Sequence, residues 1–146
     1  MFVANRNGQT LRWIAVLPAA MAGGYLAFIV GGFINNLSIT MYLEALPEGW
    51  LKISADVMAH MYLGAAFTYS AVRAAPSAPR YVSLAALAVL VIFAGLSLWS
   101  SFVIGKFYAV PALGGLLFGG AAALLATFAG EIVPYHSVDR GSDSRA

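Results

Sequence analysis

Long apolar stretches, each closed by a charged residue, set the pattern along this chain. No charge falls between Trp13 and Leu43, between Val57 and Val72, between Tyr81 and Gly105, or between Phe107 and Gly130. A helix needs about 20 predominantly apolar residues to cross the hydrocarbon core of a bilayer. Three of the four stretches meet that length, and the second reaches it once Ile53 and Ala55 are added upstream. Lipid offers no partner for a free backbone N–H or C=O, so spans of this length are helices and not isolated strands. The pattern therefore predicts an all-α polytopic membrane protein, a four-transmembrane-helix bundle. Its spans fall at about 11–34, 53–74, 81–104 and 108–130. Residues 1–134 form one transmembrane domain, and residues 135–146, polar and mixed in charge, form a disordered cytoplasmic tail.

Local signals refine the ends. Thr10 is a plausible N-cap for the first helix, and Pro18 inside it removes one helical hydrogen bond. Asn35-Asn36 reads as its end, since asparagine tolerates the left-handed cap conformation. Residues 37–46 alternate like a strand, yet they also carry a helical stripe of Ile39, Leu43 and Leu46. A lone strand would leave both edges unpaired, so a short interfacial helix is expected there. Pro47-Glu48 reads as the start of the second helix. Pro76 and Pro79 bracket a tight turn, and Pro134 stops the fourth helix.

Composition narrows the class. The chain is 61% hydrophobic and 10% charged, against about 25% charged in ordinary soluble domains. A soluble domain of 146 residues could not hide so much apolar surface. With no cysteine, disulfide scaffolds, thiolate metal sites and thiol chemistry are excluded. The net charge of +2 is scattered, so no nucleic-acid footprint exists. Arg6 and Arg12 ahead of Ala20-Met21-Ala22 resemble a signal peptide, but the apolar run continues to Ile34, which favours an uncleaved anchor. Arginine and lysine placement then orients the chain. Arg6, Arg12, Arg73, Arg80, Arg140 and Arg145 share one side, and Lys52 and Lys106 the other. Basic loops stay inside, so both termini are expected in the cytoplasm of a bacterial inner membrane. Trp13, Trp50, Tyr81, Trp99, Phe107 and Tyr108 mark the predicted boundaries.

Two features could carry function. The first is steric. Ala19, Gly23, Ala27 and Gly31 recur every fourth residue, as do Gly115, Gly119, Ala123 and Thr127. Residues four apart share a helix face, and a face without large side chains lets two backbones approach closely. Such ridges serve either packing within the bundle or contact with a second copy or a partner membrane protein. The second feature is polar. Asp56 and His60, four apart on the second helix, are the candidate intramembrane site. They could orient a tautomer, relay a proton or supply two metal ligands. The structural alternatives are an acid favouring a helix start and a neutral histidine bonded to Ser97, Ser100 or Ser101. His136 lies in the tail, so no two-histidine metal or haem site is expected, and no cofactor is implied.

The run Trp13-Ile14-Ala15-Val16-Leu17-Pro18-Ala19 resembles the opening of small bacterial membrane proteins, over this one helix, and implies no function. The chain departs from three other small families. It lacks the acidic residue in helix 1 of small multidrug transporters. It lacks the cysteines of the disulfide-generating four-helix family. It lacks the intramembrane Arg and Glu of the glutathione-linked enzymes. No Walker loop, Gly-x-Ser-x-Gly elbow or His-Glu-x-x-His is present. The expectation is an accessory, scaffold or oligomer-forming subunit acting through helix packing, with the bilayer as its solvent. The alternative is a small transporter or proton-coupled carrier using Asp56 and His60. No catalytic set is visible, so the chain leans away from an enzyme.

Overall fold

The computed structural model describes residues 6–42, 48–105 and 107–132. Four helices account for most of them: α1 (Arg6–Tyr42), α2 (Glu48–Ala74), α3 (Pro79–Ile104) and α4 (Val110–Phe128), with a short 3-10 turn at Phe107–Ala109. No strand occurs among the described residues. The predicted tail, residues 135–146, and residues 43–46 of the predicted interfacial segment lie outside the described residues. Three helices are long and apolar enough to cross a membrane: α1 over Thr10–Ser38, α3, and α4. Their outward faces carry large apolar side chains such as Leu26, Phe33, Ile92, Phe93 and Leu125. In water such surfaces would aggregate, whereas in lipid they are solvated. The chain is a helical membrane protein.

One boundary differs from expectation. Asn35 and Asn36 do not end α1, which runs on to Tyr42 and takes in residues 37–42 of the predicted interfacial segment. Two side chains explain the continuation. The Asn35 amide donates to the Ala55 carbonyl of α2 at 3.2 Å, so it does not compete for its own backbone. Ser38 donates back to the Ile34 carbonyl at 2.9 Å, one turn down the same helix.

Alone among the four, α2 is not apolar enough to qualify as a span by itself. It packs extensively on α1 and α4 and touches α3, which packs mainly on α4. From Ala59 to Val72 its buried positions are Ala59, Gly64, Phe67, Thr68, Ala71 and Val72. Of these only Thr68 is polar, and Lys52 and Asp56, nearer the start of the helix, are exposed.

The fit depends on absent side chains. Against α1, a Cβ on Gly23 would land on the Ser70 side chain and one on Gly31 on the Tyr62 ring. Against α4, a Cβ on Gly64 would strike the Leu116 carbonyl oxygen. One on Gly115 would strike the Val57 carbonyl, and one on Gly119 the Met61 carbonyl. Pairing of Gly115 with Val57 and Gly119 with Met61 makes α2 and α4 parallel, whereas Gly23 with Ser70 and Gly31 with Tyr62 makes α1 antiparallel to α2. Both glycine ridges therefore face α2. Lipid tails are as apolar as leucine, so dispersion between close backbones, not expulsion of water, favours this association.

The apolar core lies toward the α2–α3 turn. It joins Ala20 of α1, Phe67, Ala71, Val72 and Ala75 around the end of α2, Val82, Ala86 and Leu90 of α3, and Leu116 of α4. One atom inside it is out of place. The Thr68 hydroxyl is fully buried and has no hydrogen-bond partner, beside Gly120 and close to Leu87 and Leu90. Buried Thr127, by contrast, donates to the Ala123 carbonyl at 2.8 Å. An unsatisfied buried hydroxyl costs roughly 1–3 kcal/mol. Thr68→Val keeps the shape and removes the atom, so it is expected to raise stability by about 1 kcal/mol in detergent-titrated unfolding.

The turn between α2 and α3 is tight. Ala78 adopts φ 54°, ψ 54°, and its carbonyl accepts the Tyr81 and Val82 amides at 3.1 and 3.2 Å. A left-handed alanine costs roughly 1–2 kcal/mol, and glycine would recover that less about 0.5–1 kcal/mol of chain entropy. Ala78→Gly should therefore raise the thermal midpoint in micelles; a fall would mean that the methyl group holds the turn.

Candidate functional site

Asp56 and His60 sit one turn apart on α2, at the end away from the α2–α3 turn. Helical spacing puts them on one face, yet their side chains do not join. The His60 Nδ1 lies 2.7 Å from the backbone carbonyl of Asp56, not from its carboxylate. A carbonyl only accepts, so Nδ1 is the donor in this contact. The half-buried imidazole meets the Phe28 ring of α1 edge to face, with centroids 5.2 Å apart and planes at 76°. His60 thus turns toward α1. The serines of α3 are not its partners, and Ser101 donates instead to the Ser97 carbonyl of its own helix at 2.9 Å.

Asp56 borders a crevice of about 430 Å³ between α1 and α2, lined by Phe28, Gly32, Asn36, Lys52, Asp56 and Ala59 among others. Lys52 and Asp56 are both exposed and stand one turn apart on the same wall. The Asn35–Ala55 hydrogen bond closes α1 onto α2 beside it. At the end of the bundle the crevice brings a cation, a carboxylate and an amide together, and the His60 imidazole lies one turn from Asp56 against Phe28 of its lining. That set can exchange protons or hold a small polar solute. Among the described residues, no nucleophile with an oriented base borders it. No group of three or more His, Cys, Asp or Glu that could hold a metal occurs among the described residues, and His136 lies outside them.

The sequence passed over the α1 side of this crevice. Phe28, Gly32 and Asn36 recur at every fourth position, which places them on one face, and that spacing was the available signal. Reading the asparagine pair as a helix end concealed it. The ridge residues Gly115, Gly119 and Ala123 are buried, as is Gly31, while Ala19, Gly23 and Ala27 are half-buried. They build the scaffold under the crevice and contribute no polar group. Compared with protein-family models, with curated proteins and with solved structures, the chain shows no match.

Proposed function

We propose that this chain is a four-span bacterial inner-membrane protein with both termini in the cytoplasm, and that it works as an accessory or scaffold subunit by packing against a second membrane protein or another copy of itself. The observation that carries this reading is the location of its unused glycines. Ridge glycines are consumed inside the bundle. At the exposed Gly95 and Gly114 an added Cβ would meet nothing within 4 Å. Both lie in the half of the bundle away from the α2–α3 turn, where α3 from Gly95 to Ile104 has no buried residue. Open small residues in a lipid-facing surface permit close approach of another helix. Orientation rests on the basic side chains: Arg12, Arg73 and Arg80 cluster at the turn end, and Lys52 stands at the other.

Photo-reactive residues at Gly95 and Gly114, with Leu84 of α3 as the control in the other half, test the proposal in native membranes. Adducts to one protein from positions 95 and 114, and lipid adducts from 84, are expected. Lipid adducts alone from all three would sink it.

The crevice favours a second reading, a proton-linked carrier in which Asp56 and His60 handle the proton. In proteoliposomes, Asp56→Asn and His60→Ala should then abolish a pH-dependent flux while leaving the bundle folded. Absence of flux with the unaltered chain would dismiss the carrier.

A further inference from the structure

The crevice between α1 and α2 has a charge order that narrows what it can hold. The Asn35–Ala55 hydrogen bond sets these two residues level, just short of Ser38, where the apolar span of α1 closes. Because α1 and α2 run antiparallel, Lys52 stands further toward water and Asp56 one turn, about 6 Å, deeper. Both belong to the crevice lining. A cation at the mouth and a carboxylate below it thus meet, in that order, anything that enters from the aqueous side.

The two charges do not cancel. No ion pair joins them, or ties either to another described side chain. A lysine four residues ahead of an acid is the poorer order for such a pair on a helix. Asn36 is already engaged and serves only as wall. At Gly32 the space reaches the α1 backbone, where a Cβ would meet nothing within 4 Å. Phe28 and Ala59 add apolar surface to the lining.

We propose that the crevice binds a small water-soluble zwitterion, its ammonium on Asp56 and its anionic group on Lys52, with a bridge of a few methylenes lying against the apolar lining and the open backbone at Gly32. The pair of opposite charges selects this class. A simple anion is drawn to Lys52 and repelled by Asp56, and a simple amine the reverse, so a single charge gains little. An α-amino acid carries both charges on one carbon, too close together to reach side chains a full turn apart. A phospholipid with an ammonium headgroup has them in the wrong order, since its phosphate lies nearer the hydrocarbon than its amine and would face Asp56. The inference rests on the crevice of the carrier reading and names its substrate class. Binding is read without flux, so a chain that binds and transports nothing loses only the carrier, and a proton flux without binding loses only this inference.

Ligand-observed NMR titration of the full chain in phosphatidylcholine nanodiscs tests it, with empty nanodiscs as the blank. The probe is γ-aminobutyrate, compared with butyrate, butylamine and glycine. One exposed ion pair contributes up to about fivefold in affinity, so γ-aminobutyrate should bind about fivefold more tightly than each of the other three. Asp56→Asn should bring it level with butyrate, and Lys52→Gln level with butylamine. Gly32→Leu, which fills the recess at an open position, should abolish binding of all four while the helical content stays unchanged. No binding, equal binding of the four by the unaltered chain, or an undiminished preference in Asp56→Asn or Gly32→Leu would each overturn the proposal. So would displacement of γ-aminobutyrate when half of the lipid is phosphatidylethanolamine, which would assign the site to a lipid headgroup. If Gly32→Leu folds poorly, the variants at the exposed Lys52 and Asp56 decide the outcome.

Discussion

Replacing Gly119 by isoleucine is expected to prevent the bundle from forming. The added Cβ would strike the Met61 carbonyl oxygen and come within 3.0 Å of the Ala65 amide nitrogen. Both obstacles are backbone, so neither can turn aside as a flexible side chain would. Overpacking in a core costs about 1–3 kcal/mol when neighbouring side chains adjust. Here α2 and α4 must separate along their length, so the loss should exceed about 3 kcal/mol, a large part of a typical total of roughly 5–15 kcal/mol. Gly114→Ile is the matched control. It lies five residues away on the same helix, and its Cβ would meet nothing within 4 Å. Detergent-titrated unfolding should find Gly114→Ile close to the unaltered chain and Gly119→Ile unfolded. If Gly119→Ile kept an intact monomer and lost only an oligomer, the ridge would belong to an interface between chains.

A second large effect is expected at Leu116. Its side chain is 1% exposed and is among the largest fully buried in the structure. In soluble cores Leu→Ala costs about 2–5 kcal/mol, the sum of a transfer part and a cavity part. In a membrane the separated helices are still bathed in hydrocarbon, so the transfer part largely vanishes. The lost dispersion contacts around the hole remain. Leu116→Ala should therefore cost about 2 kcal/mol. Leu125→Ala on the same helix, at a position 69% exposed, should change stability by less than about 0.5 kcal/mol. Equal losses at the two positions would mean that α4 does not present Leu116 to the bundle.

Four helices cover the charge-free runs, and for α1, α3 and α4, which are long and apolar enough to cross a membrane, the missing charge follows from the solvent such a segment must occupy. The ends were harder. Asn35 reads as a stop by its own propensity, but a carbonyl on another helix satisfies its amide, and no local pattern announces that bond. The glycine ridges were legible as close-approach surfaces, yet which helix each would meet depends on topology. His60 illustrates the limit most plainly. Its spacing from Asp56 suggested a side-chain pair, whereas its ring nitrogen bonds to the carbonyl one turn back and its face is set by Phe28. Neither partner is a polar side chain, whereas polar groups at matching depth point to α3, the wrong neighbour.

Central to the proposed four-span bundle is that α2, the least apolar helix, crosses the membrane packed between α1 and α4. The native chain has no cysteine, so single reporters can be read without background. Gly49→Cys, at the exposed start of α2, and Ser77→Cys, in the exposed α2–α3 turn, bracket the helix. Labelling intact cells with a membrane-impermeant maleimide should modify position 49 and spare position 77, and inside-out vesicles should give the reverse. Modification of both positions from the same side would mean that α2 does not cross, and the four-span bundle would be contradicted.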